Sequence, residues 1–277
     1  MTEPTEPSEP SQPSEPSPPA ADNAALTYTS YLALDEILNA QRPRSEEHDE
    51  LLFIVIHQVY ELWFKQILHE LAELQRQLEA GATAHAVRSL RRVLTIFKVI
   101  VAQIDVLETM TPSQFTGFRA RLDASSGFQS VQFRELESVL GRRDDRAVRH
   151  HPPGPARDRV TAAMTRPSVF DSYLTYLAKC GYEVPAGRDC AKPLEPSEEL
   201  QDVLLKVYQD DGGPSTLAEL LVDLDEGMQE WRYRHVKMVE RTIGDKTGTG
   251  GSSGAHYLRQ TLFQPMFPDL WAVRSRL

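Results

Sequence analysis

The spacing of apolar residues constrains this chain more than any other feature. From about residue 30 onward, apolar side chains recur every three or four positions, and strand-like alternation is nearly absent. In the most regular stretch, steps of four and three separate Leu217, Leu221, Leu224, Met228, Trp231, His235 and Met238. This heptad pattern is typical of one buried helix face. The sequence therefore predicts an all-α fold, a helical bundle built on long antiparallel helices with no substantial sheet.

The same periodicity predicts about eight helices, bounded by glycine, proline and polar residues. They are expected at 31–40, 46–80, 84–110, 115–122, from about 129, 167–181, 196–210 and 215–243. Thr111 followed by Pro112 is typical of a helix cap with proline in the first turn. Residues 141–157 are charged and rich in proline, which predicts an exposed connection.

Charge and proline set the first residues apart from the rest. The formal charge is -10, and residues 1–22 contain five acidic and no basic residues together with seven of the 19 prolines. So little apolar surface cannot offset the entropy of ordering, and residues 1–24 are expected to be a disordered tail rich in proline, glutamate and serine. The tail lacks the basic start and apolar run of a secretory signal. Residues 25–277 are expected to form a single helical domain.

Composition argues against several classes of protein. An acidic balance without a basic stripe argues against nucleic acid as a partner. The longest uncharged apolar run, near residues 51–59, is short and interrupted by polar residues, so no membrane span is expected. The two cysteines, Cys180 and Cys190, form neither a disulfide framework nor a CxxC pair, and the expected compartment is the cytoplasm.

Two histidines are the strongest functional signals. His235 occupies a position on the heptad face where leucine or methionine is expected. A buried histidine needs a partner, which is either a hydrogen bond in the core or a cofactor metal held between helices. His57 lies one turn after Phe53 on another apolar helix face. Two such histidines on two long helices favour a shared site over two separate core histidines.

The residues around the histidines narrow the kind of metal site. No histidine has glutamate three positions earlier, which disfavours a di-iron carboxylate site. The sequence has no HExxH motif and no cysteine cluster for zinc. Haem remains, because it needs one axial histidine, an apolar slot and cations for its propionates. Arg232 and Arg234 are candidate cations for the propionates. The alternative is that both are solvated side chains on the surface.

Two further features could contact a ligand. Arg119 lies in a short stretch with Phe115 and Phe118 and could clamp a carboxylate, or it could be a surface arginine. The glycine-rich stretch 244–254 could offer backbone N–H groups and the Thr249 hydroxyl to an anion. It lacks the residue order of a phosphate-binding loop, so nucleotide binding is not expected.

Five strings in the same order resemble the tryptophan 2,3-dioxygenase family of haem enzymes. They are LTYTSYLALDEIL (26–38), LLFIVIHQVYELWFKQILHEL (51–71), MTPSQFTGFRARLDASSGFQSVQFRELE (110–137), RPSVFDSYLTYLAKCGYEVP (166–185) and EWRYRHVKMVERTIGDKTGTGGSSG (230–254). The resemblance covers nearly everything after residue 25, and the proline-rich tail has no counterpart in it. It implies an all-helical homotetramer, a dimer of dimers, that contains haem b and uses L-tryptophan and O2.

The resemblance also implies roles for individual residues. His235 matches the axial ligand of the haem iron, and Trp231 in the same string falls in the haem pocket. His57 matches the distal histidine near the indole N–H of the substrate. Ser125 and Ser126 match a pair near the haem edge, and Ser126 is also expected to contact the substrate.

The remaining substrate contacts follow from the same match. Phe53 would pack on the indole ring, Arg119 would pair with the carboxylate, and Thr249 would contact the ammonium and carboxylate groups. Phe115 stands where some members have tyrosine, so one pocket hydroxyl is lacking. An N-terminal segment would complete the pocket of a neighbouring subunit through Tyr28, Tyr31 and Leu32.

The reaction implied by the resemblance is insertion of O2 across the indole C2–C3 bond of L-tryptophan. Its product is N-formylkynurenine, which begins tryptophan catabolism by the kynurenine route. Two alternatives stay open at this point. One is a haem oxygenase on the same scaffold that inserts a single oxygen atom into a modified tryptophan. The other is a helical binding protein without catalytic activity.

Overall fold

The computed structural model describes residues 25–123, 125–149, 151–246, 248 and 255–277. These residues form helices and no strand, which confirms the all-α prediction. The α-helices are α1 (Tyr28–Leu32), α2 (Leu34–Leu38), α3 (His48–Ala80), α4 (Thr83–Leu107), α5 (Pro112–Arg119), α6 (Val131–Val139), α7 (Asp145–Arg149), α8 (Pro155–Thr165), α9 (Val169–Lys179), α10 (Glu198–Gln209), α11 (Gly213–Ile243), α12 (Ala255–Arg259) and α13 (Pro268–Ala272). Two short 3-10 helices cover Gly127–Gln129 and Val273–Arg276.

The chain divides into two compact units, one ending at Gln41 and one spanning Arg42–Leu277. The first unit contains α1 and α2, where the sequence predicted one helix over 31–40. Ala33 separates them because its backbone is left-handed, with a φ of 49°. The predicted tail, residues 1–24, lies outside the described part of the chain, and its boundary stays a prediction.

Three long helices carry most of the second unit. The Tyr60 hydroxyl donates to the Ile100 carbonyl, and the Gln103 amide donates to the Ile56 carbonyl, so α3 and α4 are antiparallel. Helix α4 packs along α11 as well. There Arg234 pairs with Asp105 and Arg241 pairs with Glu108, so α4 and α11 run in the same direction. Helix α11 is therefore antiparallel to α3, and the long chain segment between α4 and α11 makes this order possible.

The heptad face of α11 has two different environments. Its first four residues, Leu217, Leu221, Leu224 and Met228, are at most 1% exposed and lie in the core. Its last three residues, Trp231, His235 and Met238, keep partial exposure because they line a cavity. The continuous buried face predicted from the sequence thus becomes a core contact at one end and a cavity wall at the other.

One buried carboxylate attaches the C-terminal segment to α11. Asp225 is fully buried, and its Oδ2 accepts from the backbone N–H of Met266 at 2.8 Å and of Phe267 at 3.0 Å. The indole N–H of Trp271 donates to the same oxygen at 2.9 Å. Three donors satisfy a charge that would otherwise be costly to bury.

The prediction of an exposed connection over 141–157 is wrong in part. Helices α7 and α8 occupy this region, and Pro155 begins α8 instead of marking a loop. Val160, Ala163 and Met164 bury one face of α8, at the spacing of a helix that packs against a neighbour. The density of charge and proline concealed this periodicity. Helices α12 and α13 were not predicted either.

Helix α3 is long and apolar enough to cross a membrane by length and composition alone. An 18-residue window in it has a mean hydropathy of 1.3. Only 17% of that window is buried, in part because Phe53 and His57 on this helix line the cavity. Core helices pass the same test, and the C-terminal half of α3 places Leu71, Leu74 and Leu78 in the core.

Candidate active site

The cavity lies between α3, α5, α6 and α11 and is mostly apolar. The space between its walls and across its open mouth is about 1300 Å³. Its lining includes the predicted site residues Phe53, His57, Phe115, Arg119, Ser126, Trp231 and His235. Both histidines therefore lie on the wall of one cavity.

His57 lies on α3 with its ring against Phe53. The two ring centroids are 4.2 Å apart, and Nδ1 of His57 is 2.7 Å from the Phe53 carbonyl oxygen. A carbonyl only accepts, so Nδ1 carries the proton and Nε2 of the neutral ring has a free lone pair. Burial lowers the pKa of His57, although this hydrogen bond and the charge of Glu61 oppose the shift. His57 is therefore a neutral hydrogen-bond acceptor at pH 7.

His235 lies one turn after Trp231 on α11, and their rings stack at 5.1 Å with an interplanar angle of 8°. Burial lowers the pKa of His235 to about 4, and the nearby His57 and Arg134 act in the same direction. The ring is therefore neutral at pH 7. A neutral imidazole is the form that binds a metal.

Helix α5 brings Arg119 to the cavity wall. Thr111 caps α5 through reciprocal hydrogen bonds with Gln114, and Pro112 occupies the first turn, as predicted. Phe115 and Phe118 bury the inner face of this short helix, each within 6 Å of the Phe53 ring centroid. Arg119 in the last turn is half-buried. The cavity thus has an aromatic wall next to a guanidinium group.

A buried carboxylate on α6, Glu137, organises the charges at another wall. It contacts Arg134 at 2.5 Å, Arg232 at 2.9 Å and Arg142 at 3.5 Å. Burial alone would raise the pKa of Glu137, but the three guanidinium charges lower it below its ordinary value. Glu137 therefore stays ionised and holds α6 against α11.

The two arginines beside His235 both form ion pairs within the chain, and their role toward haem propionates stays a prediction. Arg232 is buried, pairs with Glu137, and donates to the carbonyls of Thr261 and Gln264. Arg234 pairs with Asp105 and Glu108 on α4. Arg232 shares Glu137 with Arg134 and Arg142, whereas Arg234 contacts two carboxylates, and both side chains join α11 to its neighbours.

The other predicted site residues fall into three groups. Ser126 lines the cavity and accepts from the Phe128 N–H, whereas Ser125 is exposed and is not part of the lining. Thr249 lies outside the described residues, although Gly248 beside it lines the cavity. Tyr28, Tyr31 and Leu32 belong to α1 in the N-terminal unit, where both tyrosines are more than 70% exposed.

The cavity suits a flat apolar cofactor better than a bare metal ion. Among the described residues, no group of three His, Cys, Asp or Glu side chains is placed to hold a metal. Haem brings four ligands of its own and needs an axial side chain from the protein. His235 supplies a neutral ring at the wall, and Trp231, Phe133 and Val236 supply apolar surface beside it. The residues present therefore fit a haem.

Comparison with known proteins gives the family. The sequence pattern of the tryptophan 2,3-dioxygenase family matches residues 15–159 and 198–277. The chain belongs to the tryptophan 2,3-dioxygenase family.

Relatives in the tryptophan 2,3-dioxygenase family are similar along nearly their whole length. The tryptophan 2,3-dioxygenase of Anaeromyxobacter dehalogenans is 65% identical over 262 residues, covering 93% of this chain and 98% of the relative. The enzyme of Herpetosiphon aurantiacus is 58% identical over 258 residues, covering 91% and 99%. The enzyme of Caulobacter vibrioides is 44% identical over 262 residues, covering 91% and 98%. The family assignment made from five short strings is confirmed.

Sequence reasoning overlooked Arg134 and Glu137 at the cavity of this tryptophan 2,3-dioxygenase family member. Their signal was present, because opposite charges three residues apart can pair on a helix. Phe133 and Leu136, both buried, show that this part of α6 faces inward. A charged pair on an inward-facing part of a helix is unusual and could have been noticed.

Proposed function

We propose that this protein is a haem-dependent dioxygenase that inserts both atoms of O2 across the indole C2–C3 bond of L-tryptophan and forms N-formylkynurenine. The observation that carries the proposal is the convergence of two neutral histidines from α3 and α11 on one apolar cavity in a member of this family. The names of the relatives support the substrate. This reaction begins tryptophan catabolism by the kynurenine route.

His235 would hold the haem b iron as its axial ligand. Its neutral ring presents a nitrogen lone pair without prior loss of a proton, and the stacked indole of Trp231 restricts the ring's rotation. The haem would supply the binding and activation of O2. The protein's own contribution is the shape of the cavity and the placement of the substrate.

Phe53 and His57 would position the indole. The Phe53 ring offers an apolar surface against which the indole can stack. The Nε2 atom of His57 can accept the indole N–H, because the Phe53 carbonyl fixes the proton on Nδ1. His57 acts here as an acceptor of low basicity, so the scheme assigns it no removal of a substrate proton.

Arg119 would bind the substrate carboxylate. A guanidinium can donate two parallel hydrogen bonds to a carboxylate and thereby fix its orientation. Thr249 is proposed to contact the ammonium and carboxylate groups beside it. Holding both the indole ring and the carboxylate end of the substrate keeps the C2–C3 bond in its reacting position. This positioning lowers the entropic part of the activation free energy. Phe115 offers no hydroxyl, so this wall acts through apolar contact.

Two further proposals concern assembly and location. We propose a homotetramer in which Tyr28, Tyr31 and Leu32 complete the pocket of a neighbouring subunit, which the exposure of both tyrosines supports. We also propose a cytoplasmic location, since Cys180 and Cys190 are free thiols of the kind found in reducing compartments. Light scattering after size-exclusion chromatography tests the tetramer, and cell fractionation tests the location.

The decisive experiment combines a spectrum with a product mass. The haem-supplemented protein, reduced without oxygen and then given O2 and L-tryptophan, is expected to show a Soret band and to release a product heavier by two oxygen atoms. A gain of one oxygen atom would instead indicate a monooxygenase on the same scaffold. A protein that takes up no haem under these conditions would refute the proposal altogether.

A further inference from the structure

Arg134 has an unusual environment at the cavity wall. Its guanidinium lies over the rings of Phe128 and Phe133, with its Cζ atom 4.8 Å and 4.9 Å from their centroids. Its Nη1 contacts Glu137, and its buried Nε has no hydrogen-bond partner among the described residues. All four side chains line the cavity. A buried donor without a partner is rare, because leaving it unpaired is destabilising.

The charges around Arg134 do not balance. Glu137 is the one carboxylate that contacts Arg134, Arg142 and Arg232 together. The neighbouring Asp144 contacts Arg142 but also pairs with Arg146, so this pair adds no net negative charge. Within these contacts three guanidinium groups share one carboxylate, and two of them, Arg134 and Arg232, line the apolar cavity. Such an excess favours an anionic ligand there, since buried charge requires a counter-charge.

The position of Arg134 also indicates which anion it would meet. Arg134 and His235 line the same cavity, so a ligand that His235 holds there would lie within the reach of Arg134. Arg119, the guanidinium proposed for the substrate, lies on α5, whereas Arg134 lies on α6. Haem carries two anionic propionates, so it has the charge that this wall favours.

We propose that Arg134 anchors a haem propionate, and that Glu137 acts as a positioning residue by holding the Arg134 guanidinium at the cavity wall. The inference rests on the proposed haem binding and adds a binding residue to it. In this role Arg134 donates through Nε to the carboxylate, while Nη1 stays on Glu137. The aromatic rings of Phe128 and Phe133 hold the planar guanidinium flat against the wall. They also exclude water from the contact between Arg134 and the propionate.

The contact between Arg134 and a propionate is tested by combining two changes, a substitution of Arg134 and esterification of the propionates. The full-length chain and Arg134→Gln are each loaded with haem or with haem dimethyl ester, and the rate of porphyrin loss to excess apomyoglobin is measured. With haem, the substitution is expected to speed the loss about ten- to a hundredfold, as for a hydrogen bond to a charged group. With the ester, which has no carboxylate, the two proteins should lose porphyrin at similar rates.

Other outcomes would overturn the inference. Equal acceleration with haem and with its ester would show that Arg134 acts through the fold, and an unchanged rate with haem would show no contact. A raised KM for L-tryptophan with unchanged haem loss would assign Arg134 to the substrate carboxylate instead. Failure of the unsubstituted chain to bind haem would refute the proposed function rather than this step.

Two variants keep the test interpretable. Arg92→Gln removes an arginine that pairs with the buried Glu70 outside the cavity, so it should leave haem loss unchanged. Should Arg134→Gln fail to fold, Arg134→Lys carries the same test, because lysine keeps the charge near Glu137 but lacks Nε. The lysine variant should also lose haem faster than the unsubstituted chain. Its rate of porphyrin loss should be the same with haem and with haem dimethyl ester.

Discussion

His57 donates its Nδ1–H to the Phe53 carbonyl oxygen at 2.7 Å, one helical turn earlier on α3. This bond determines which nitrogen of the ring carries the proton. Because Nδ1 is occupied, Nε2 remains as an acceptor for a ligand N–H. Substrate orientation would thus depend on a backbone atom of the same residue whose ring packs on the indole.

His57→Ala is expected to lower kcat/KM for L-tryptophan about two- to tenfold, the value of one neutral hydrogen bond. The loss should disappear for 1-methyl-L-tryptophan, which has no indole N–H to donate. Steady-state kinetics with both substrates measure the difference. His69→Ala, an exposed histidine on the same helix, is the matched control. An equal loss for both substrates would rule out the acceptor role of Nε2.

His235→Ala is expected to abolish haem binding, because no other histidine of α11 can replace the axial nitrogen. The measurement is the ratio of Soret to protein absorbance after purification with added haem. His85→Ala, an exposed histidine on α4, should retain the full ratio. A full haem complement in His235→Ala would show that another residue holds the iron.

Arg119→Leu is expected to reduce kcat/KM for L-tryptophan about ten- to a hundredfold through loss of a charge-assisted contact to the carboxylate. Binding of tryptamine, which has no carboxylate, should change little. Spectral titration and steady-state kinetics give both values. Arg121→Leu removes an exposed arginine two residues later and should behave like the unsubstituted protein. Unchanged kinetics in Arg119→Leu would refute the clamp.

Glu137→Gln is expected to lower the free energy of unfolding at pH 7 by about 3–5 kcal/mol, because buried arginines lose their counter-charge. The pKa of Glu137 is lowered in the folded protein, so its charge stabilises the fold above the ordinary pKa of 4.5. That stabilisation is lost as the pH falls through the folded-state pKa.

Urea denaturation at several pH values tests this dependence. The difference between Glu137→Gln and the unsubstituted protein should narrow as the pH drops below about 4.5. Asp202→Asn breaks an exposed pair with Arg276 and should change stability by less than about 1 kcal/mol. A difference for Glu137→Gln that is constant across pH would contradict an ionised Glu137.

The sequence by itself determined the long helices α3, α4 and α11 and, to within about three residues, where they end. Helical periodicity is a local property, and so is the cap formed by Thr111 and Pro112. Short strings were enough to indicate the family, because motif residues keep their order along the chain. The same local signals failed over 141–157, because charged residues and prolines dominate this stretch and the buried residues of α8 begin only at Val160.

Only the tertiary structure decided which groups meet. The pairing of Arg232 with Glu137 joins residues 95 positions apart, and no spacing rule predicts it. The division of the α11 heptad face into core and cavity depends on where α3 and α5 approach it. Likewise, Arg134 and Arg232 share Glu137 only once α6 packs beside α11. Local spacing specifies a helix, whereas electrostatic balance depends on distances that folding alone sets.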